Sequence, residues 1–397
     1  MTTNETTQGN QANQPLFIYK LGHCQELAIA EYLSLTGLSP KSIRIVDDYL
    51  FGYVKIDVNL AGSLIFGGEV LCEYDFENGK NLINTQEQLS IILANLTIPK
   101  KMGLSLDCPI TLTQVLKITK PLKIKNTLLI NRVTPNIGHW KQNKFWICQV
   151  KLGNINYIYK IDTYFDQEFW AKLDMALPCG DMKRGIINLK LARSLNNLTR
   201  SKNIWDPFCG SGRNMVSAFD IKNHFWMDDI APICIDQEVP TNLKFLYEYL
   251  PKFGKALATD AIKGSRTVSA SDSKFESGTL AGIEDKQVSI VTEGWLGTNI
   301  TEQLIPATIL KDYLWLSKVW KSIVDKASNQ EFIQEIVFCL PYHLNFSNIS
   351  DDHMAQVNIW IKDSKFRVLK LAPKTDYIVY RRAKTKVAHA IFKLVRD

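Results

Sequence analysis

The segment 203–212, which reads NIWDPFCGSG, constrains the fold of this chain more than any other stretch. Its first half has the composition of a buried strand ending at Asp206, and two glycines, Gly210 and Gly212, then form a turn before a helix. Glycine lets a backbone approach a ligand closely, and the first turn of a helix directs free N–H groups at that ligand. The segment therefore predicts a strand–turn–helix with a ligand at the turn, inside an α/β fold.

Two common nucleotide-binding loops do not fit this segment. A dinucleotide fingerprint needs a third glycine, but position 215 is Met. A triphosphate-binding loop needs Lys followed by Ser or Thr, and neither follows the glycines. Both nucleotide-binding classes are therefore excluded as sequence interpretations.

Later strands of the same region also end in polar residues. Strand-like runs end at Asp229, at Asp260 and at Thr292, and the last continues into Glu293-Gly294-Trp295. Open α/β sheets bind ligands beyond the carboxyl ends of their strands. Residues 181–397 therefore predict a doubly wound, mostly parallel sheet with its site at that edge.

The rest of the chain predicts a second domain. With 397 residues the length favours two domains. Residues 15–165 alternate helix and strand without a glycine-rich loop, which predicts an α+β domain, with Gly67 and Gly68 as a tight turn. Residues 1–14 are polar and predict a disordered tail, and residues 166–180 predict a linker.

Composition narrows the environment of the protein. The net charge of +7 favours a polyanionic partner modestly. The eight cysteines include no C-x-x-C pair and the six histidines no zinc-type spacing, so we expect reduced thiols, a cytoplasmic location and no metal. No signal segment and no run of 18 apolar residues is present, so we expect no membrane association.

The loop 206–212, DPFCGSG, resembles the cofactor loop of class I S-adenosylmethionine (SAM) methyltransferases, particularly those that methylate amino groups on nucleic-acid bases. Segments 16–31, 66–68 and 181–192 are similar to the THUMP-associated tRNA (guanine-N2)-methyltransferases, which act on guanosine 10 of tRNA. The resemblance implies an N-terminal RNA-binding region of ferredoxin-like and THUMP type, a Rossmann-like methyltransferase domain, SAM as cofactor and tRNA as partner.

The resemblance also implies residue roles. Asp206 and the glycine turn would face the methionine part and ribose of SAM, Asp229 the ribose hydroxyls, and Asp260 the adenine amine. Position 213 departs from the family, which commonly has Thr there, and our hypothesis is that Arg213 pairs with the SAM carboxylate. The predicted cofactor-binding residues are Asp206, Phe208, Cys209, Gly210, Gly212, Arg213, Asp229, Ile230, Asp260 and Ala261. The predicted catalytic residues are Thr292 and Glu293, which orient the target amine, and Trp295, which stacks on the base; the predicted substrate-binding residues are Lys183, Arg184, Arg381 and Arg382.

The chain departs from the family in its catalytic loop. Relatives usually have Asp/Asn-Pro-Pro-Tyr or Thr-Glu-Pro-Tyr, whereas residues 292–295 are Thr-Glu-Gly-Trp, and losing the proline predicts a less rigid loop. Two alternatives stay open: a DNA adenine-N6 or cytosine-N4 methyltransferase, and a tRNA-binding relative that no longer transfers methyl. Eukaryotic members of the family use a small activating partner protein, so such a subunit is a further possibility.

Overall fold

The computed structural model describes residues 14–75, 81–99, 101–107, 111–124, 126–130, 135–143, 145–180, 186–227, 229, 231, 233–249, 287–297, 305–371, 376–382 and 385–397. The described chain forms two compact units. The first contains residues 14–23, 36–60 and 64–167, and the second contains residues 24–35, 61–63 and those from 168 onward. The predicted tail, the third strand ending at Asp260 and the predicted loop 265–282 lie outside the described residues.

The strands are β1 (Phe17–Leu21), β2 (Arg44–Val46), β3 (Tyr49–Gly52), β4 (Leu64–Asp75), β5 (Lys101–Leu106), β6 (Asn126–Ile130), β7 (Trp146–Leu152), β8 (Ile155–Tyr164), β9 (Asn203–Asp206), β10 (His224–Met227), β11 (Val288–Thr292), β12 (Ile333–His343), β13 (Phe366–Val368), β14 (Ile378–Tyr380) and β15 (Val387–Arg396). The helices are α1 (Gln25–Thr36), α2 (Asn81–Asn95), α3 (Leu112–Thr119), α4 (Ile137–Gln142), α5 (Gln167–Ala176), α6 (Leu189–Asn197), α7 (Arg213–Ala218), α8 (Val239–Tyr249), α9 (Pro306–Ser328), α10 (Ser347–Ala355) and α11 (Val357–Trp360). A π-helical turn, Cys234–Glu238, precedes α8.

The first unit is built on one eight-stranded sheet in the order β2-β3-β1-β4-β8-β7-β5-β6. Gly67 and Gly68 lie inside the long strand β4, so the predicted tight turn is wrong. The pairing of β4 with β8 shifts register between these two glycines, and a Cβ on Gly68 would collide with the backbone of Lys160. The glycines therefore serve a bulge and a close backbone approach rather than a turn.

The second unit is built on a sheet in the order β10-β9-β11-β12-β15-β13, with β14 also paired to β15. Strands β10, β9, β11 and β12 are parallel, and β15 runs antiparallel to β12. Every residue of β11 is buried, as expected for a parallel strand covered on both faces. The predicted Rossmann-like α/β architecture is confirmed for this unit.

The second unit also contains an early part of the chain, residues 24–35 and 61–63. Glu31 of α1 is completely buried and accepts hydrogen bonds from the N–H groups of Gly62 (2.7 Å) and Ser63 (2.8 Å) and from Nδ2 of Asn197 (2.7 Å). Burial raises the pKa of Glu31, and these donors act against that rise. A Cβ on Gly62 would collide with the carbonyl of Lys190 in α6. Sequence reasoning had placed these segments in the N-terminal region.

The predicted linker 166–180 contains a helix. Helix α5 begins at Gln167, and Trp170 and Leu173 on one of its faces are buried. A spacing of three residues places both side chains on the same side of the helix, where they pack inward. None of the helices in the described ranges is both long and apolar enough to cross a membrane.

Candidate functional site

The predicted loop borders a cavity of about 320 Å³ beyond the carboxyl ends of β9, β10 and β11. A cavity of this size lies at the lower end of the range for small-molecule sites. Its lining residues are Ile186, Ile187, Asp206, Phe208, Cys209, Gly210, Ser211, Arg213, Asn214, Asp229, Ala231, Cys234, Glu238, Glu293, Gly294 and Trp295.

The turn after β9 depends on its glycines for backbone conformation. Gly210 and Gly212 have φ values of 52° and 78°, a region that residues with a Cβ adopt rarely. Nothing lies within 4 Å of the position where a Cβ on Gly210 would stand, so the space beside the turn is open. Gly212 does not line the cavity but begins α7 as its N-cap residue. The turn therefore offers backbone to a ligand without a side chain in the way.

Asp229, which follows β10, holds the glycine turn. Its Oδ2 accepts a hydrogen bond from the N–H of Gly210 at 2.8 Å, and its Oδ1 accepts from the N–H of Ala231 at 2.8 Å. One carboxylate thereby joins the loops after two neighbouring strands. Asp229 is largely buried, yet it lines the cavity, where remaining oxygen lone pairs can accept from ligand hydroxyls.

Asp206 is the most strongly perturbed acid in the cavity. Its side chain is only 4% exposed, and burial raises its pKa to about 7. Three donors oppose that rise: the hydroxyl of Thr292, Nδ2 of Asn214 (3.1 Å) and the N–H of Phe208 (3.1 Å). An acid whose proton is lost near neutral pH, facing a cavity, suits a cationic ligand.

Arg213 lines the cavity but already has protein partners. Its Nε donates to the carbonyl of Ile187 at 2.8 Å, and its Nη2 pairs with the carboxylate of Asp174. The side chain is therefore fixed by the segment before α6 and by α5. Pairing of Arg213 with a SAM carboxylate stays a prediction.

The loop after β11 is held by side-chain contacts. Gly294 has a φ of 69°, and its N–H donates to the Thr292 hydroxyl at 3.2 Å. Oε1 of Glu293 lies 2.6 Å from Nε2 of His389 in β15. These contacts tie the loop to β11 and β15, and the lower rigidity expected without a proline stays a prediction.

Aromatic side chains form one wall of the site. Trp295 lines the cavity and packs edge-on against Trp315 of α9, with ring centroids 5.1 Å apart and planes at 85°. Phe208 likewise meets Trp320 edge-on at 6.0 Å. Edge-to-face packing is a favourable geometry for aromatic pairs. It fixes Trp295 while leaving part of it accessible to a planar ligand.

The other predicted site residues either lie outside the described ranges or do not line this cavity. Ile230, Asp260, Ala261, Lys183 and Arg184 lie outside the described residues. Arg381 and Arg382 are described, just after β14, but neither lines the cavity. Arg381 is exposed, and Nε and Nη2 of Arg382 are buried with no hydrogen-bond acceptor in the described chain.

The predicted site residues leave out several polar residues of the site, among them Asn214, Glu238 and His389. Asn214 follows the glycine loop by two residues and binds both Asp206 and the Val291 carbonyl, so its position in the first helical turn was an available signal. Glu238 lines the cavity from the π-helical turn. His389 had no local signal, because it lies 96 residues beyond its partner Glu293.

No cluster of histidine, cysteine and acidic residues able to hold a metal occurs within the described ranges. No protein-family model matches the chain. No curated protein matches it either.

Solved structures give weak similarities to this chain. A possible methylase from Clostridium difficile 630 has 13% identity over 97% of this chain and 98% of that one, with a TM-score of 0.41. A predicted N6-adenine-specific DNA methylase from Listeria monocytogenes has 12% identity over 96% and 95%, with a TM-score of 0.42. TrmK from M. capricolum, solved with S-adenosyl-homocysteine, has 11% identity over 54% and 70%, with a TM-score of 0.29. Because all three TM-scores are below 0.5, function has to be inferred from the geometry of the site.

Proposed function

We propose that the second unit is a SAM-dependent methyltransferase that acts on an amino group of a nucleic-acid base. One observation carries the proposal. A single cavity at the carboxyl edge of the parallel sheet joins the glycine turn, the two acids Asp206 and Asp229, and residues Glu293, Gly294 and Trp295 of the loop after β11. Ligands of open α/β sheets bind at this edge.

The cavity residues fit the chemical groups of SAM. Asp206, with its proton lost near neutral pH, suits the ammonium group, and Asp229 suits the ribose hydroxyls. The Gly210 turn leaves open space for a backbone approach. Phe208 adds an apolar surface. SAM, when bound, supplies a methyl group already activated on a sulfonium.

The loop after β11 suits a flat amine acceptor. Trp295 offers an aromatic face on which an extruded base can stack. Glu293, beside it, offers a carboxylate oxygen to the N–H groups of an exocyclic amine. Thr292 is completely buried and binds Asp206 and the Gly294 N–H, so we assign it to holding the loop. Alignment of nitrogen, methyl and sulfur is then a matter of positioning.

For the acceptor we propose the N2 amine of a guanosine in tRNA. The first unit, separate from the methyltransferase unit, is the part we assign to RNA binding, in keeping with the sequence resemblance. Arg381 and Arg382, just after β14, supply positive charges suited to an anionic substrate. The net charge of +7 likewise favours a polyanionic substrate such as tRNA.

The test offers the purified protein methyl-labelled SAM with either unmodified tRNA or duplex DNA, followed by mass spectrometry of the nucleosides. We expect N2-methylguanosine from tRNA and no methylated base from DNA. N6-methyladenine or N4-methylcytosine from DNA would favour the first alternative. SAM binding without any methylated nucleoside, with or without added cell extract as a source of a partner subunit, would favour the degenerate relative.

The matched control is Glu293→Gln. It keeps the size of the side chain and removes the negative charge. We expect SAM binding to persist while methyl transfer falls roughly 10²-fold, the lower end of the contribution of a general base. Unchanged transfer would remove Glu293 from the proposed catalytic residues.

A further inference from the structure

His389 is not among the cavity-lining residues, yet it binds one that is. Its Nε2 lies 2.6 Å from Oε1 of Glu293, and the two side chains are only 9% and 15% exposed. The pair joins β15 to the loop after β11, across the intervening strand β12. A short hydrogen bond in a buried place fixes the rotamer of Glu293.

The surroundings of His389 determine where its proton lies. Nδ1 of His389 is buried and has no hydrogen-bond partner in the part of the chain that is described. A doubly protonated ring, or a ring protonated only at Nδ1, would leave a buried N–H without an acceptor. A buried unpaired donor is rarer and costlier than an under-used acceptor. The ring therefore carries its proton on Nε2 and donates a hydrogen bond to Oε1 of Glu293.

We propose that His389 is a positioning residue for methyl transfer, an inference that rests on the proposed function. Its Nε2–H occupies Oε1 of Glu293 and fixes the orientation of the carboxylate. Oε2 is then the oxygen left to accept an N–H of the target amine. His389 touches no substrate and acts only through Glu293.

The proton balance of the transfer explains why an ionised acceptor matters. The lone pair of the amine nitrogen forms the bond to the methyl carbon, the carbon–sulfur bond breaks, and sulfur keeps that electron pair. The nitrogen then carries one proton too many, which passes to Oε2 of Glu293 and afterwards to water. His389 keeps its own proton throughout.

A purely structural role explains His389 poorly. Its strand neighbours Ala388, Ala390 and Ile391 are apolar and buried, as β15 requires. A buried imidazole with a bare Nδ1 costs stability that an apolar residue would not. A histidine at this position is explained if the hydrogen bond from Nε2 to Glu293 is needed for function, which offsets the stability lost at Nδ1.

The experiment compares two variants. His389→Gln keeps an N–H donor near the position of Nε2, and His389→Phe fills the ring space without a donor. We expect Phe to lower kcat at least about tenfold, with KM values for SAM and nucleic acid within about twofold, and Gln to restore most of kcat. Full activity of the Phe variant, or equal losses in both variants, would overturn the proposal.

A second measurement does not depend on activity. In protein labelled with ¹⁵N-histidine, the six histidines give few ring-nitrogen signals. The two signals of His389 are assigned because they disappear in His389→Gln. We expect the Nε2–H tautomer, with a shift that changes in Glu293→Gln. An Nδ1–H tautomer, or no response to that change, would refute the assignment. If the expected tautomer is seen but no nucleic acid is methylated, the proposed function fails while the hydrogen-bond assignment stands.

Discussion

The loops after β9 and β11 border the same cavity but are held in different ways. The loop after β9 is fixed through its own backbone, because Asp229 accepts the N–H of Gly210 and Asp206 accepts the N–H of Phe208. The loop after β11 has one backbone bond of this kind, from the N–H of Gly294 to the Thr292 hydroxyl, and is otherwise held through side chains, by the Glu293–His389 hydrogen bond and the contact of Trp295 with Trp315. A loop held by its backbone suits an invariant cofactor, whereas a loop held by side chains can be re-aimed at a new acceptor by substitution.

The largest expected effect is a loss of methyl transfer when the backbone of the loop after β11 is changed and the loop after β9 is left intact. Gly294→Pro places proline, which needs a φ near −65°, at a position whose φ is 69°. We expect methyl transfer to fall at least roughly 10²-fold, because a displacement of about 1 Å in the site is enough for that loss. S-adenosyl-homocysteine affinity, measured by calorimetry, should stay within about threefold.

The matched control is Gly294→Ala, which tests the φ value with a milder change. Its Cβ would lie 3.3 Å from Cζ2 of Trp320, which is a tight contact. Alanine can adopt a positive φ at a cost, whereas proline cannot, so we expect a smaller loss of methyl transfer than with proline. Wild-type transfer in the proline variant would show that this loop does not position the acceptor.

The next effect concerns the cofactor loop. Asp229→Ala removes the acceptor for the N–H groups of Gly210 and Ala231, each of which costs about 1 to 3 kcal/mol if left unpaired. We expect cofactor affinity to fall by about 10- to 100-fold in calorimetry. Asp229→Asn keeps one acceptor oxygen and should lose less; equal affinity in all three proteins would separate Asp229 from the cofactor.

A moderate effect follows from the pKa of Asp206, which burial raises to about 7. A cationic ligand binds the ionised form better, so SAM affinity should fall as the pH drops below 7, by up to about tenfold per unit, and level off above it.

The same shift in the pKa of Asp206 makes the folded protein hold this proton more tightly than the unfolded chain. Its contribution to the free energy of unfolding therefore decreases as the pH rises from about 4 to 7.

The measurement is calorimetric titration with SAM between pH 5.5 and 8, with Asp206→Asn as the control. The variant cannot titrate at this position, so its affinity should vary much less with pH. A wild-type affinity that is flat over this range would show that Asp206 does not face the ammonium group.

The smallest effect lies outside both loops. Arg382→Gln removes one cation after β14, so we expect tRNA affinity to drop only a few-fold and the slope of log K against log salt to decrease by about 1. SAM affinity should not change. Filter binding over a salt series measures the slope, and an unchanged slope would rule out a phosphate contact by Arg382.

The comparison of the two loops also explains what sequence reasoning could reach. Asp206, Gly210 and Asp229 were predictable, because a strand, a glycine turn and an acid at the next strand end are local patterns. The sheet of the second unit followed from the same alternation of strand and helix. The membership of residues 24–35 in this unit was not predictable, because Glu31 contacts residues far along the chain.

The loop after β11 shows the opposite limit. Glu293 and Trp295 could be singled out as following a buried strand, but what holds them could not. His389 is 96 residues away from Glu293, and its strand reads as plain apolar β-structure. The glycine at position 294 predicts a less rigid loop, and its φ of 69° is a backbone conformation that proline cannot adopt.

The carboxylate of Glu31 has a consequence for how the chain is made. Its partner Asn197 lies 166 residues later, so a ribosome must synthesise the whole of the first unit before α1 can complete its buried hydrogen bonds. Until then the apolar face of α1 lacks its native neighbours, and contacts between such distant residues form slowly. In a circularly permuted gene that begins at β4, near residue 64, residues 24–35 and 61–63 would instead be synthesised after α6.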